Sequence, residues 1–245
     1  MAVPEIICPE LPAFNWPDLD SVIQAFRGAP VCPLRQAWRS EPEAAYLPAF
    51  ARIGWREHAL FVFAELKDAE IFTSARHSNQ RLWELGDVFE VFLRPLNQSA
   101  YTEIHLSPNN LWMGLQFDDA AVAAVARQTG SFSLHSVPDL ACTTRTWVFP
   151  DFRRWYALIK IPRESVSDQP APLPGSQWLF SFGRYDYCRG QTAPVISSTS
   201  AHADATNFHC QADWASLRCQ STPPALEPLP PATPTRRPDP FNSIT

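Results

Sequence analysis

Asp87 and Glu90 form the first pair of side chains whose spacing invites a chemical reading. Glycoside hydrolysis uses two carboxylates about 5–10 Å apart, flanking one bond. The run DVFEVFLR over 87–94 alternates like a strand, however, and residues three apart on a strand face opposite ways. Asp87 and Glu90 therefore do not converge. Glu90 keeps its interest alone, because it shares a face with Val88 and Phe92. A carboxylate between large apolar neighbours needs a partner, since an unpaired buried charge is costly or shifts its pKa. That partner is either an internal arginine such as Arg184 or a ligand. His105 shares one strand face with Tyr101, Glu103 and Ser107, whereas Thr102, Ile104 and Leu106 share the other. The second face reads as core and the first as solvated or ligand-facing. His202, His209 and Cys210 lack the third and fourth ligands of a transition-metal centre. Met113 is the one internal methionine, a slender basis for haem ligation. No G-x-S-x-G, phosphate-binding glycine loop or H-E-x-x-H is present.

The elements that must position these side chains are mostly strands. The chain has 245 residues, enough for one large β domain, and 45% are apolar, enough for a real core. Twenty-five prolines against eight glycines mark many turns and short elements. Helical spacing of Leu19, Val22, Ile23 and Phe26, after Pro17 and before Gly28, predicts a helix over 17–27. The alanine-rich run 119–127 predicts a second. Strands are expected at 30–38, 49–55, 59–66, 87–94, 101–107, 110–117, 131–137, 141–149, 155–161, 178–187, 194–199 and 214–219. Many short strands without alternating long helices give an all-β fold, an antiparallel sandwich. Three parts are expected: an N-terminal segment over 1–29 with the short helix, the sandwich over 30–221, and a disordered tail over 222–245. That tail carries eight prolines.

Composition also excludes partners. A net charge of -5 without a basic run leaves no footprint for nucleic acid. No apolar stretch reaches the ~20 residues that span a bilayer, so no membrane partner is expected. The start, MAVPEIICPE, lacks the basic and apolar regions of a secretory signal. Cys8, Cys32, Cys142, Cys188, Cys210 and Cys219 include no C-x-x-C pair, and free thiols in a reducing compartment are expected.

Several blocks carry a resemblance. ALFVFAELKD (59–68), NQRLWELGDVFEVFLRP (79–95), YTEIHLSPNN (101–110), WYALIKIPRESV (155–166), GSQWLFSFGRYDY (175–187) and PVISSTSAHADATNFHCQADWASL (194–217) occur in this order. Together they resemble carbohydrate-binding modules of family 9 and their single-domain relatives, across about residues 30–219. The most specific element is Trp83 with Asp87-x-x-Glu90.

The resemblance implies a jelly-roll or immunoglobulin-like β-sandwich that holds a mono- or oligosaccharide between two aromatic rings without cleaving it. Rings cover the apolar C–H face of a pyranose, and charged or amide groups take its hydroxyls. Carried over by position, Trp83 matches the first sandwiching tryptophan and Phe208 the second. Glu90 matches a carboxylate that accepts from hydroxyls, His105 stands where the family often has arginine, and Asn207 and Asp186 match polar positions. Phe stacks with less area than Trp, and His is a pH-dependent donor. The alternatives are a sandwich serving as scaffold or enzyme accessory without a sugar ligand, and then a glycoside hydrolase. No cofactor is expected. Related modules carry structural calcium on loop oxygens, but Asp118, Asp119, Asp204 and Asp213 are too scattered to make such a loop.

Overall fold

The computed structural model describes residues 5–166, 174–202 and 207–221. Twelve strands follow in chain order: β1 (Glu5–Pro9), β2 (Cys32–Leu34), β3 (Ala49–Arg56), β4 (Ala59–Lys67), β5 (Val88–Pro95), β6 (Tyr101–Leu106), β7 (Trp112–Phe117), β8 (Thr143–Phe149), β9 (Arg154–Pro162), β10 (Gln177–Asp186), β11 (Val195–Ser198) and β12 (Ala215–Gln220). Helix α1 (Leu19–Ala25) lies between β1 and β2, and α2 (Ala120–Thr129) between β7 and β8. Both helices start on an aspartate cap, Asp18 and Asp119, whose carboxylates accept from backbone N–H groups of the first turn. Helix α2 ends on Gly130, held at φ 70°, a left-handed conformation that a side chain would strain.

The strands make two sheets. One has seven strands in the order β1-β12-β10-β5-β6-β7, with β11 sharing the edge of β10 beyond β12. The other has five, β2-β3-β4-β9-β8. Every pairing between strands is antiparallel except β1 with β12, which is parallel. The sandwich is thus almost wholly antiparallel. The segment before residue 30 is built into it, since β1 extends the larger sheet.

Alternation fixes which side chains fill the space between the sheets. Phe89, Val91 and Leu93 of β5, Ile104 and Leu106 of β6, and Trp178, Phe180 and Phe182 of β10 meet Val62, Trp155 and Ile159 of the smaller sheet. The opposite faces are covered as well. On the large sheet Phe92, Tyr101, Leu115 and Phe117 pack under Ala123 and Ala126 of α2 and under Trp214. On the small sheet Phe61, Phe63, Tyr156 and Leu158 pack under Leu11, Phe26 and α1. The face of β6 carrying Glu103 and His105 is consequently not solvated, and every residue of β6 is buried. The expected strand at 131–137 is instead a 3-10 turn, Phe132–His135, with one bridge, Ser136 to Leu115. The left-handed Gly130 turns the chain there, so its alternating pattern has no partner strand. All six cysteines are free. The proline-rich tail lies outside the described residues.

Candidate functional site

A row of paired residues crosses the large sheet: Gly183 of β10 faces Glu90 of β5, and Glu90 faces His105 of β6. All three lie on the outer face, two strand spacings end to end, about 9–10 Å. Over this row opens a cavity of about 220 Å3. Its lining includes five of the six residues expected from the sequence: Trp83, Glu90, His105, Asn207 and Phe208.

Trp83 sits in a 3-10 turn, Leu82–Glu84, and leans over His105 with ring centroids 5.1 Å apart. Phe132 meets it edge-on at 5.2 Å. The turn is tied down from the residue that follows β10, because the Tyr187 hydroxyl donates to the Trp83 carbonyl at 2.5 Å. Phe208 lies on the opposite side of Glu90, over Gly183. A Cβ at that glycine would stand 2.9 Å from Phe208 Cδ2, so its absence lets the ring settle on the strand. Phe208 is only 5% exposed and packs against Phe92, Tyr185 and His202. It is a deeper wall than a freely exposed stacking ring.

Between the two rings the polar groups form one chain. His105 Nδ1 lies 2.8 Å from Glu90 Oε1, and His105 Nε2 lies 3.2 Å from Glu103 Oε2. Glu103 Oε1 lies 2.7 Å from His209 Nδ1. Burial pulls the His105 pKa down, but Glu90 and then Glu103 outweigh it and raise it to about 10. Burial would raise Glu103, yet His209 and His105 bring it down to about 2. The histidine is therefore an imidazolium at neutral pH, not the weak, titrating donor expected from the sequence. Glu90 pairs with it and not with Arg184.

Residues that the sequence did not assign to a sugar site complete the cavity. Arg127, in the last turn of α2, donates to Asn207 Oδ1 at the rim. It brings a guanidinium to a cavity whose strand position holds His105 instead. Glu103, Tyr185 and His209 also line the cavity. The one readable signal was the Asp119 cap, which sets the phase of α2 and hence of Arg127.

Asp186 is not part of this cavity. It follows Tyr185 on β10, so its side chain turns inward to a second cluster with Asp68 and Asp87. Carboxylate oxygens of these three lie within 4.8 Å of one another, all buried. Arg184 Nη2 stands 3.0 Å from Asp186 Oδ2 and 3.2 Å from Asp68 Oδ2. Asp87 Oδ1 accepts from the Tyr187 N–H at 2.7 Å, and Oδ2 from the Phe72 N–H. Burial, then Asp68, pushes Asp87 up to about 8 against those two amides. Burial pushes Asp186 up to about 7, although Arg184 opposes it. Sequence spacing could not show this cluster, because its members come from the ends of three strands. Asp119 caps α2 and Asp213 lies 3.5 Å from His202 Nδ1, so neither joins it. Asp204 lies outside the described residues.

No family model matches the chain, and no curated protein matches it. Solved structures do. A candidate carbohydrate-binding protein from Bacteroides uniformis ATCC 8492 superposes with a TM-score of 0.66 at 15% identity, covering 89% of this chain and 100% of its own. A family 9 carbohydrate-binding module from Caldicellulosiruptor kristjanssonii, in complex with cellotriose, gives 0.58 at 15% identity over 93% of this chain and 100% of the module. A family 9 module from Caldicellulosiruptor kristjanssonii in complex with glucose gives 0.60 at 14% identity over 91% of this chain and 100% of the module. This chain is a β-sandwich domain with the fold of family 9 carbohydrate-binding modules.

Proposed function

We propose that this chain binds a saccharide unit, without catalysis, in the cavity over Glu90. The observation that carries the reading is the row Gly183–Glu90–His105, with Phe208 resting on its first member and Trp83 over its third. Trp83 covers one apolar face of the sugar, and Phe208 with Tyr185 forms the facing wall. Glu90, oriented by the His105 imidazolium, accepts from hydroxyls, while Arg127 and Asn207 donate. Charge-assisted hydrogen bonds of this kind are each worth about 1.5–3 kcal/mol net. After ordering costs they give micromolar to millimolar affinity. The cavity is small, suited to one or two sugar units. Solved modules of the same fold holding glucose and cellotriose support the same ligand class.

The charge pattern argues against hydrolysis. Glycosidases need one carboxyl group that holds a proton at neutral pH. Glu103 is held ionised by two histidines, and Glu90 meets an imidazolium. Calorimetry with glucose and cellotriose is the test. Binding that Trp83→Ala and Glu90→Gln each weaken roughly tenfold or more supports the reading. A folded protein that gives no heat with mono- or oligosaccharides, or a Trp83→Ala variant of unchanged affinity, rejects it.

Asp68, Asp87 and Asp186 are the residues that fit a structural calcium ion. Three carboxyl groups gather around one guanidinium, burial holds protons on Asp87 and Asp186 toward neutral pH, and Asp186 Oδ1 is buried without a hydrogen-bond partner. Calcium takes oxygen ligands and would favour the ionised carboxylates, releasing those protons. Its role would be to brace Asp87, which holds Tyr187 and through it Trp83.

A further inference from the structure

The opposite side of the sandwich carries a second concave surface. A row of paired residues crosses the small sheet there: Gly54 faces Phe61, Phe61 faces Lys160, and Lys160 faces Thr143. A Cβ at Gly54 would come within 2.4 Å of Leu11 Cδ2, so the bare backbone lets the segment from Leu11 lie down on the sheet. That segment sets Phe14 and Trp16 beside Phe61, with ring centroids 5.5 and 6.2 Å away. Arg56, two residues beyond Gly54 on the same face, closes one end and pairs with Glu57 at 3.3 Å. The result is an open groove of about 320 Å3 with an aromatic floor and a charged rim.

The polar groups of this rim are mismatched in a definite direction. The Lys160 ammonium, the Trp16 indole N–H and the Thr143 hydroxyl have no hydrogen-bond or ion-pair partner among the described residues. Two cations, Arg56 and Lys160, face one anion, Glu57. This positive groove belongs to a chain of net charge -5, so it is not a sample of the average surface. Donors exceed acceptors over an apolar platform, which is complementary to a ligand with one apolar face, many acceptor oxygens and a negative charge.

We propose that this groove is a second saccharide site, selective for acidic sugar units such as uronates. The rings of Trp16 and Phe14 take the C–H face. Lys160 and Arg56 take the carboxylate, and Trp16 Nε1 and Thr143 donate to ring oxygens. The site shares no residue with the cavity over Glu90, so it stands or falls independently of that reading.

Calorimetry with digalacturonate, with cellotriose as the neutral control, tests it on the full chain. Digalacturonate binding is expected to survive Trp83→Ala, to weaken about tenfold in Lys160→Met, and to weaken again in 0.5 M salt. Cellotriose binding is expected to be indifferent to Lys160→Met. Trp16 covers part of the sheet, so Lys160→Met and Thr143→Val carry the test, with thermal melting as the fold control. The proposal is overturned if the wild-type chain does not bind digalacturonate, or if Lys160→Met leaves that binding unchanged. It is equally overturned if Trp83→Ala abolishes digalacturonate and cellotriose binding together, which would place both in the first cavity.

Discussion

His105 shows how neighbours rewrite a residue. Alone, histidine loses its proton near pH 6.5. Here Glu90 and Glu103 grip both ring nitrogens and hold the proton to about pH 10. A folded pKa above the unfolded one gives stability that is complete below about pH 6.5 and fades as the pH rises toward 10. Saccharide affinity measured by calorimetry is therefore expected to be flat between pH 6 and 8.5 and to fall near pH 10. A midpoint near 6.5 would mean that the imidazole is free of its carboxylates. Glu103 works in the other direction. Its lowered pKa contributes stability that is lost only as the pH falls toward 2. Replacing Glu103 with Gln leaves the buried imidazolium one partner short. A loss of about 3 kcal/mol or more is expected in denaturant unfolding.

At the scale of elements, strand register places the aromatic walls. Gly183 stands opposite Glu90 because β10 and β5 pair over eight residues, from Trp178–Pro95 to Tyr185–Val88. Gly183→Ala would drive a methyl group into the Phe208 ring. Overpacking of this kind costs about 1–3 kcal/mol. We expect a moderate drop in melting temperature and a several-fold loss of saccharide affinity, and an unchanged affinity would show that Phe208 is not a wall of the site. The turn bearing Trp83 depends on the end of β10 in another way, through the hydroxyl of Tyr187, the next residue, and the Asp87 carboxylate. Tyr187→Phe removes one hydrogen bond, worth about 1 kcal/mol. It should weaken binding a few-fold and broaden the Trp83 indole signal in NMR spectra, while a change confined to stability would separate Tyr187 from the site.

Across the whole molecule, the two faces of the large sheet divide the work. The inward face joins the sandwich and gathers Asp68, Asp87 and Asp186 where three strands end. The outward face supports the cavity under α2 and the Trp214 layer. A cation bound inside should therefore be felt outside. Millimolar calcium at pH 8 is expected to raise the melting temperature by several degrees, chelation to reverse it, and Asp68→Asn to remove the response. Equal melting with calcium and with chelator would leave Arg184 as the only counter-charge of the cluster.

Most strands, both helices and the inward set Ile104 and Leu106 were legible in the sequence, because periodicity is a local property that burial on one face enforces. The block order likewise pointed to Trp83, Glu90, His105, Asn207 and Phe208. Pairing and depth were not legible. Sequence alternation says that Asp186 and Tyr185 face opposite ways, but not which face opens on a cavity. Nor does it say that a face carrying Glu103 and His105 is roofed by α2 and Trp214. Those outcomes depend on contacts between residues far apart in the chain, such as Glu103 with His209 and Asp87 with Tyr187. The chain's own pattern thus set the strands and nominated the rings. The tertiary structure alone decided which charges meet, since the energy of a buried charge depends on its partners in space rather than its neighbours in sequence.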